Sequence, residues 1–287
     1  CQESLRSGRK MNPVGATPTT RKKYERLLAR IREFPSALVA FSGGLDSGFV
    51  LHAAKETFAA SKKPLLAAMT LSPAVPEWDR LDAKRIADEL KVPLRFIDSD
   101  IIEHTDYIEN SIQRCYFCKS DLYERLEELR RAESFAVIFN GTQADDLSDF
   151  RPGLKAAAEH RVVSPLADAG LRKDELRSLA RQFGLSFRDK PGSPCLASRI
   201  PHGTPVTLDA LNMVHRAEAA LRAIGLRVVR VRHLGAAARV ELGADEHVAA
   251  GEEHLRSRIE SELRVIGYQD VSFAPYAPSG QALLRKA

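Results

Sequence analysis

The stretch Leu38-Val39-Ala40-Phe41-Ser42-Gly43-Gly44-Leu45-Asp46-Ser47-Gly48-Phe49-Val50-Leu51 decides the fold. Its first four residues form a short apolar run of the buried-strand type, and Phe49, Val50, Leu51, Ala53 and Ala54 recur at helical spacing. Between them lies a glycine turn, so the segment reads strand, turn, helix. Glycines let the backbone approach an anion, and free N–H groups together with the helix dipole favour phosphate. The hydroxyls of Ser42 and Ser47 add donors. Asp46 is out of place beside a phosphate unless a cation lies between them, which implies Mg²⁺. No Gly-Lys-Ser/Thr follows, so this is not a Walker A loop, and it is not a dinucleotide GxGxxG turn either. The bland alternative is a Gly-Gly turn with an Asp/Ser helix cap.

Working outward, Arg21–Arg32 reads as a charged amphipathic helix. Pro64–Leu71 reads as a second strand, Glu77–Leu90 as a helix and Val92–Ile97 as a third strand. Ser120–Arg131 follows as a helix, Phe135–Asn140 as a strand ending at Gly141, and Lys173–Phe183 as a helix. Alternating strands and helices imply crossover units, hence an α/β fold with a parallel sheet and helices on both faces. The pattern changes after Gly192. Ser193–Val206 is rich in Pro, Ser and Gly and reads as a loop. Then come a helix (Leu208–Ile224), two strands (Arg227–His233, Ala237–Leu242) turning at Gly235, a helix (Glu252–Ile266) and a last strand (Asp270–Ala274). The expected organisation is a flexible extension over 1–20, a larger α/β domain over 21–200, a smaller α+β domain over 201–276 and a tail over 277–287.

A chain of 287 residues makes one large or two medium domains. With 44% apolar and 28% charged residues it is neither disordered nor collagen-like. No run approaches the ~18 apolar residues of a membrane span. The net charge of +5, from 43 Lys+Arg against 38 Asp+Glu, is spread along the chain. That suits phosphorylated small molecules, and no basic stripe argues for nucleic acid. The first segment lacks the apolar core of a signal peptide and reads as an extension before a start near Met11. The expectation is a soluble, cytoplasmic protein with no membrane partner.

The cysteines are Cys1, Cys115, Cys118 and Cys195, too few for a disulfide scaffold. Cys115 and Cys118 have the spacing of a metal or redox site and lie just before the expected helix at Ser120. Cys195 lies in the Ser193–Val206 loop. Three thiolates on two loops can hold a 4Fe-4S cluster with one iron left without a protein ligand. Zinc would want a fourth ligand, for which His202 is near in sequence. A redox pair at Cys115/Cys118, or plain core cysteines, are the other readings.

The complete Ser42–Ser47 motif at a strand-to-helix junction resembles the pyrophosphatase loop of the PP-loop ATPases, which adenylylate a carbonyl oxygen and release pyrophosphate. That resemblance implies an adenine nucleotide alpha hydrolase-like fold. It also implies ATP contacts from Ser42, Gly43, Gly44, Asp46 and Ser47, from Met69 and Thr70 after the second strand, and from Gly141 and Thr142. Further motifs narrow it: Arg114-Cys-Tyr-Phe-Cys-Lys119, Asn140-Gly-Thr-Gln-Ala-Asp-Asp-Leu147, Asp149-Phe-Arg-Pro-Gly153, Ser164-Pro-Leu166, Ser193-Pro-Cys-Leu-Ala-Ser-Arg-Ile-Pro201, Arg230-Val-Arg232 and Ala238-Arg-Val-Glu241. Together, over roughly Tyr24 to Tyr276, they resemble the LarE family of PP-loop sulfur transferases, which mature the nickel-pincer nucleotide of lactate racemase.

The resemblance implies an activity. A carboxylate of pyridinium-3,5-biscarboxylic acid mononucleotide is activated as its AMP ester, and sulfur displaces AMP to give a thiocarboxylate. Some members sacrifice the sulfur of one cysteine at the place of Cys195. Others have three cysteines and carry exogenous sulfide on an iron–sulfur cluster. With Cys115, Cys118 and Cys195 present, this chain looks like the cluster type. Lys119, Arg151, Arg199, Arg230, Arg232, Glu218 and Glu241 are the expected substrate and phosphate site; Arg pairs bidentately with carboxylate and phosphate, and Glu218 and Glu241 could hold a cation or the arginines. Asp46 and Asp146 are the expected Mg²⁺ ligands. Each has a plainer reading as a helix cap, a solvent-facing charge or a surface ion pair. The resemblance also suggests a homo-oligomer. The competing functions are sacrificial donation from Cys195, tRNA thiolation, and nucleotide binding without catalysis.

Overall fold

The structure of the chain, a computed structural model, describes residues 17–148, 152–250 and 253–276. Cys1, the expected N-terminal extension up to residue 16, Arg151 and the tail from residue 277 lie outside the described residues. In chain order the elements are α1 (Pro18–Arg32), β1 (Ala37–Ala40), α2 (Leu45–Ala59), β2 (Leu65–Leu71), α3 (Glu77–Leu90), β3 (Leu94–Asp98), α4 (Thr105–Ile108), α5 (Arg114–Ala132), β4 (Val137–Phe139), α6 (Pro152–Glu159), α7 (Pro165–Asp168), α8 (Lys173–Gln182), α9 (Leu208–Ala223), β5 (Val229–Leu234), β6 (Ala237–Leu242), α10 (Ala244–Ala249), α11 (Glu253–Ile266) and β7 (Asp270–Pro275). Short 3₁₀ turns occur at Ile101–Glu103, Ala144–Ser148 and Leu196–Arg199. No helix of the described residues is long and apolar enough to cross a membrane.

Two compact units emerge. One takes in the chain up to Thr70, Asp79–Ile97 and Lys119–Lys190; the other takes in Leu71–Trp78, Asp98–Cys118 and the chain from Pro191. The sequence suggests a single boundary near residue 200, whereas these units are discontinuous.

The first unit is built on a parallel sheet with strand order β3-β2-β1-β4, flanked by helices. Ala37 pairs with Leu65 on one side and with Val137 on the other, so β1 is central. The helix after it, α2, buries Phe49, Val50, Leu51, Ala53 and Ala54 completely. A helix apolar on nearly every side needs cover on every side. Here β1, α1 and α8 supply it. Thr17 caps α1, its Oγ1 accepting from the Thr20 N–H at 3.2 Å, and Pro18 fits the first turn where no N–H is needed. Tyr24, Leu27 and Ile31 form its buried stripe.

His52 on α2 is buried against Phe49 and Phe183 at ring distances of 6.0 and 5.1 Å, and its Nε2 has no hydrogen-bond partner among the described residues. Burial pushes its pKa below the ordinary imidazole value. A lowered folded-state value means that the unfolded chain takes up the proton first, so stability is full above the ordinary value and is lost as pH falls below it. Between about pH 7 and pH 5, His52→Leu should flatten part of the fall in urea midpoint seen with the parent protein.

The second unit carries a three-stranded sheet, β5-β6-β7. Strands β5 and β6 are antiparallel and turn at Gly235, whose φ of +71° suits glycine; β6 and β7 are parallel. Helix α9, capped by Thr207, lies on β5, and α11 packs on α9. Leu221, Val231, Val240, Leu242, Ile259 and Leu263 form its fully buried core.

Two differences from the expected elements matter. Helix α5 starts at Arg114 rather than Ser120, so Cys115 and Cys118 stand in its first turn and not on a preceding loop. Ser111 opens the turn by accepting the Gln113 N–H on its Oγ, and no Gly or Pro interrupts the following residues. Helices α6 and α10 were not anticipated; they are only eight and six residues long, too short for a periodic signal.

Candidate functional site

In the first unit the glycine turn joins β1 to α2 as expected. The Ser42 N–H donates to Ser47 Oγ at 3.1 Å, and the two serine hydroxyls lie 3.0 Å apart. Gly43 has φ +68°, and a Cβ there would sit 3.0 Å from the Ala83 backbone nitrogen. Gly141 follows β4 and approaches so closely that a Cβ would lie 2.6 Å from the Ser47 nitrogen. Both positions therefore need glycine, one for its backbone angle and one for close approach. Thr142 comes next, its N–H held by Asn140 Oδ1 at 3.1 Å; Asn140 is buried and also takes the Ser164 hydroxyl at 2.8 Å. Met69 is buried and Thr70 half-buried at the end of β2, beside β1 in the sheet.

Two lysines that sequence reading missed hold this turn. Lys173 Nζ, at the start of α8, donates to both Asp46 oxygens at 2.7 Å. Lys190 Nζ reaches the Gly43 carbonyl at 3.0 Å and pairs with Asp79 and Asp82 at 3.2 and 2.8 Å. A lone lysine far along the chain carries no local signal; only the fold brings it to the turn. Asp146 is buried and accepts from the Gln143 N–H and Nε2 at 3.1 and 3.2 Å. Among the described residues no three His, Cys, Asp or Glu side chains are grouped to hold a metal ion. Mg²⁺ commonly binds through one or two carboxylates plus substrate phosphates and water, so Asp46 beside the turn suits it.

In the second unit the three remaining cysteines are free thiols, Cys115 exposed, Cys118 and Cys195 half-buried. Cys118 and Cys195 pack on one apolar cluster with Tyr107, Leu196, Ala197 and Ile200. Burial, then the thiols of Cys195 and Cys118, and finally Cys115, push the Tyr107 phenol above its ordinary value, while Arg114 acts in the opposite sense. Cys118 and Cys195 thus share one apolar cluster with a buried phenol, and Cys115 lies one helical turn before Cys118 on α5. His202 half-faces solvent and turns Nδ1 to the Asn110 carbonyl at 3.1 Å, so no four-ligand zinc centre forms with it. Cys115, Cys118 and Cys195 are likewise not grouped around a single ion among the described residues; a cluster makes a different demand, since each sulfur binds its own iron.

The arginines of the second unit are placed differently from simple anion receptors. Arg199 is buried and pairs through Nε and Nη2 with Glu218 at 2.7 and 3.0 Å. Its Nη1 donates to the Pro194 and Cys195 carbonyls at 2.6 and 3.2 Å. Glu218, fully buried, also accepts the Val231 N–H at 3.0 Å. Arg232 pairs with Glu241 at 2.9 and 2.8 Å and donates to the Ser198 carbonyl at 2.8 Å. Arg230 stacks on Tyr276 at 4.4 Å and donates to its hydroxyl at 2.6 Å. Burial lowers the Arg230 pKa, with Arg199 and Arg232 adding to that effect. So the five residues come together, but two arginines already have carboxylate partners and support the Cys195–Ser198 turn. Lys119 is exposed on α5.

No family model matches the chain. Among curated proteins, it is 31% identical over 257 residues to a pyridinium-3,5-bisthiocarboxylic acid mononucleotide synthase of Lactiplantibacillus plantarum, covering 90% of this chain and 91% of that protein. The chain belongs to the LarE family. It is also 36% identical over 224 residues to an uncharacterized protein of Synechocystis sp., covering 78% of this chain and 82% of that one. A third match, an uncharacterized protein of Methanocaldococcus jannaschii, is 28% identical over 211 residues, 72% of this chain and 78% of that one.

Proposed function

We propose that this LarE-family chain is an ATP-dependent sulfur transferase that converts the carboxylates of pyridinium-3,5-biscarboxylic acid mononucleotide to thiocarboxylates. What carries the reading is the match over nine-tenths of the chain to the named synthase, supported by Cys118 and Cys195 packing on one apolar cluster with Tyr107. The glycine turn has the form of a pyrophosphate cradle in a PP-loop, adenine nucleotide alpha hydrolase-like fold. A substrate carboxylate oxygen attacks the α-phosphorus of ATP, the bond to the bridging oxygen breaks, and pyrophosphate leaves as the acyl adenylate forms. N–H groups at Gly43, Gly44 and the start of α2, with the Ser42 and Ser47 hydroxyls, meet the charge that gathers on the departing pyrophosphate. Met69, Thr70, Gly141 and Thr142 border the nucleotide. Lys173 holds the Asp46 carboxylate, and Asp46, with Asp146, would hold Mg²⁺, which would supply charge neutralisation for the phosphates.

The sulfur half rests on the thiols. Cys115, Cys118 and Cys195 would hold a 4Fe-4S cluster, which supplies an open iron on which sulfide is carried. Sulfur attacks the activated carbonyl carbon, the bond to the phosphate oxygen breaks, and AMP leaves. Arg230, Lys119 and Arg151 offer positive charge to the nucleotide phosphate and carboxylates, while Arg199 and Arg232, through Glu218 and Glu241, keep the Cys195 turn in place. The protein acts in the cytoplasm as a homo-oligomer without nucleic acid or membrane.

The test is anaerobic incubation with ATP, Mg²⁺, sulfide and the biscarboxylate nucleotide. Pyrophosphate release that depends on the nucleotide, a thiocarboxylate product by mass and an iron–sulfur absorption band are expected. Thiolated tRNA instead would move the substrate, and ATP binding without pyrophosphate release would remove the enzyme.

A further inference from the structure

Asn110 is fully buried with φ +54°, a left-handed conformation that asparagine tolerates better than most residues. Its side-chain Nδ2 donates to the Pro201 and Thr204 carbonyls at 2.8 and 2.7 Å. Its own carbonyl accepts the Gly203 N–H at 3.1 Å and faces His202 Nδ1. Its Oδ1 accepts from Arg114 Nη1, and the same Nη1 donates to the Ala197 carbonyl at 2.9 Å. The Val206 N–H donates to the Ile108 carbonyl at 2.9 Å. Residues 108–114 are thereby sewn to residues 197–206, and the seam runs from the residue before Cys115 to the second residue after Cys195.

Arg114 is also a buried charge. It is 4% exposed, and no carboxylate pairs with it among the described residues. A buried guanidinium with only carbonyl partners is costly unless an anion completes it. Cys115 is its chain neighbour, and the Ala197 carbonyl it holds belongs to the apolar cluster on which Cys118 and Cys195 pack.

We propose that Asn110 and Arg114 are the positioning pair of the three-cysteine site. Asn110 locks the first turn of α5 onto the Cys195 loop. Arg114 adds the cation that balances a ligand assembly carrying net negative charge on the three sulfurs. This rests on the reading of the three cysteines as one site. It explains why a site with one exposed thiol is nevertheless ordered: backbone and side-chain bonds set the spacing before any iron is bound. It also explains why a charged side chain is used at 114 where neutral donors would satisfy both acceptors.

The test uses the full chain in two states. In iron-free protein, Asn110→Ala should speed hydrogen exchange at the Gly203 and Val206 amides and speed alkylation of Cys195. After anaerobic reconstitution with ferrous iron and sulfide, Arg114→Gln, which keeps a donor but not the charge, should hold iron ~10–100-fold more weakly and lower the midpoint potential. Arg114→Lys should recover most of both. Unchanged iron retention and potential in Arg114→Gln would overturn the charge role, and unchanged exchange in Asn110→Ala would overturn the clamp. If the parent itself takes up no iron, the cluster reading and the charge role fall together, and the exchange rates alone decide the clamp.

Discussion

Glu218→Gln is expected to destabilise the protein by ~3–5 kcal/mol, read as a lower urea midpoint at unchanged slope. Glu218 is fully buried and neutralises Arg199, which is itself 2% exposed. An amide offers one oxygen where the carboxylate offers two, and Arg199 is left charged beside Arg230 and Arg232. The Val231 N–H loses strength in its bond as well. The damage should reach the chemistry, because Arg199 holds the Pro194 and Cys195 carbonyls. Cys195 should alkylate faster in the variant. The double variant Arg199→Met/Glu218→Leu removes the stranded charge and should recover much of the stability, but not the slow alkylation. That split separates the energetic role of the pair from its role in holding the thiol loop. Equal stability of the parent and Glu218→Gln would mean that water or a rearranged side chain already compensates Arg199.

Gly141→Ala is expected to cut ATP-dependent pyrophosphate release by ~10²–10³-fold, the cost of displacing a donor aimed at developing charge. The added methyl would lie 2.6 Å from the Ser47 nitrogen and 3.1 Å from the Asp46 carbonyl carbon, so backbone must move. What moves is the first turn of α2, where the pyrophosphate donors sit. The circular dichroism spectrum should be retained, since β4 and α2 are otherwise untouched. A variant with parental turnover would place the leaving group elsewhere.

These two residues also show how far the sequence could be read. The strand-turn-helix at Leu38–Leu51 was legible because apolar periodicity and glycine chemistry both act over a few residues. The reading of three cysteines as one set rests on spacing and on the family motif. The place of Gly141 was legible only through that resemblance, since its reason is steric approach by a distant strand end. Arg199, Arg230 and Arg232 stood out as arginines, and the alternation of Arg230 and Arg232 put them on one face. That Glu218 and Glu241 could hold the arginines was among the readings, and Arg232 does reach Glu241 across the β5–β6 pair. Burial was hidden: in β5 both faces are covered, and Glu218 read equally well as a surface helix charge because nothing local distinguishes a buried carboxylate from an exposed one. Lys173 and Lys190 were invisible for the same reason, as were Asn110 and Arg114, whose partners in the 197–206 segment are 83 or more residues away. The start of α5 was set too late because polar residues before Cys115 mask a helix whose capping serine lies three residues earlier than its first turn.

The central claim is that three thiols act as one regenerable sulfur site in an ATP-driven reaction. Its most direct test is the mass of Cys195 after anaerobic reaction with excess ATP, sulfide and biscarboxylate nucleotide. More than one thiocarboxylate formed per chain, with Cys195 keeping its full thiol mass, is the predicted result. A single equivalent of product, with Cys195 converted to dehydroalanine, would contradict it and assign the sulfur to the cysteine itself.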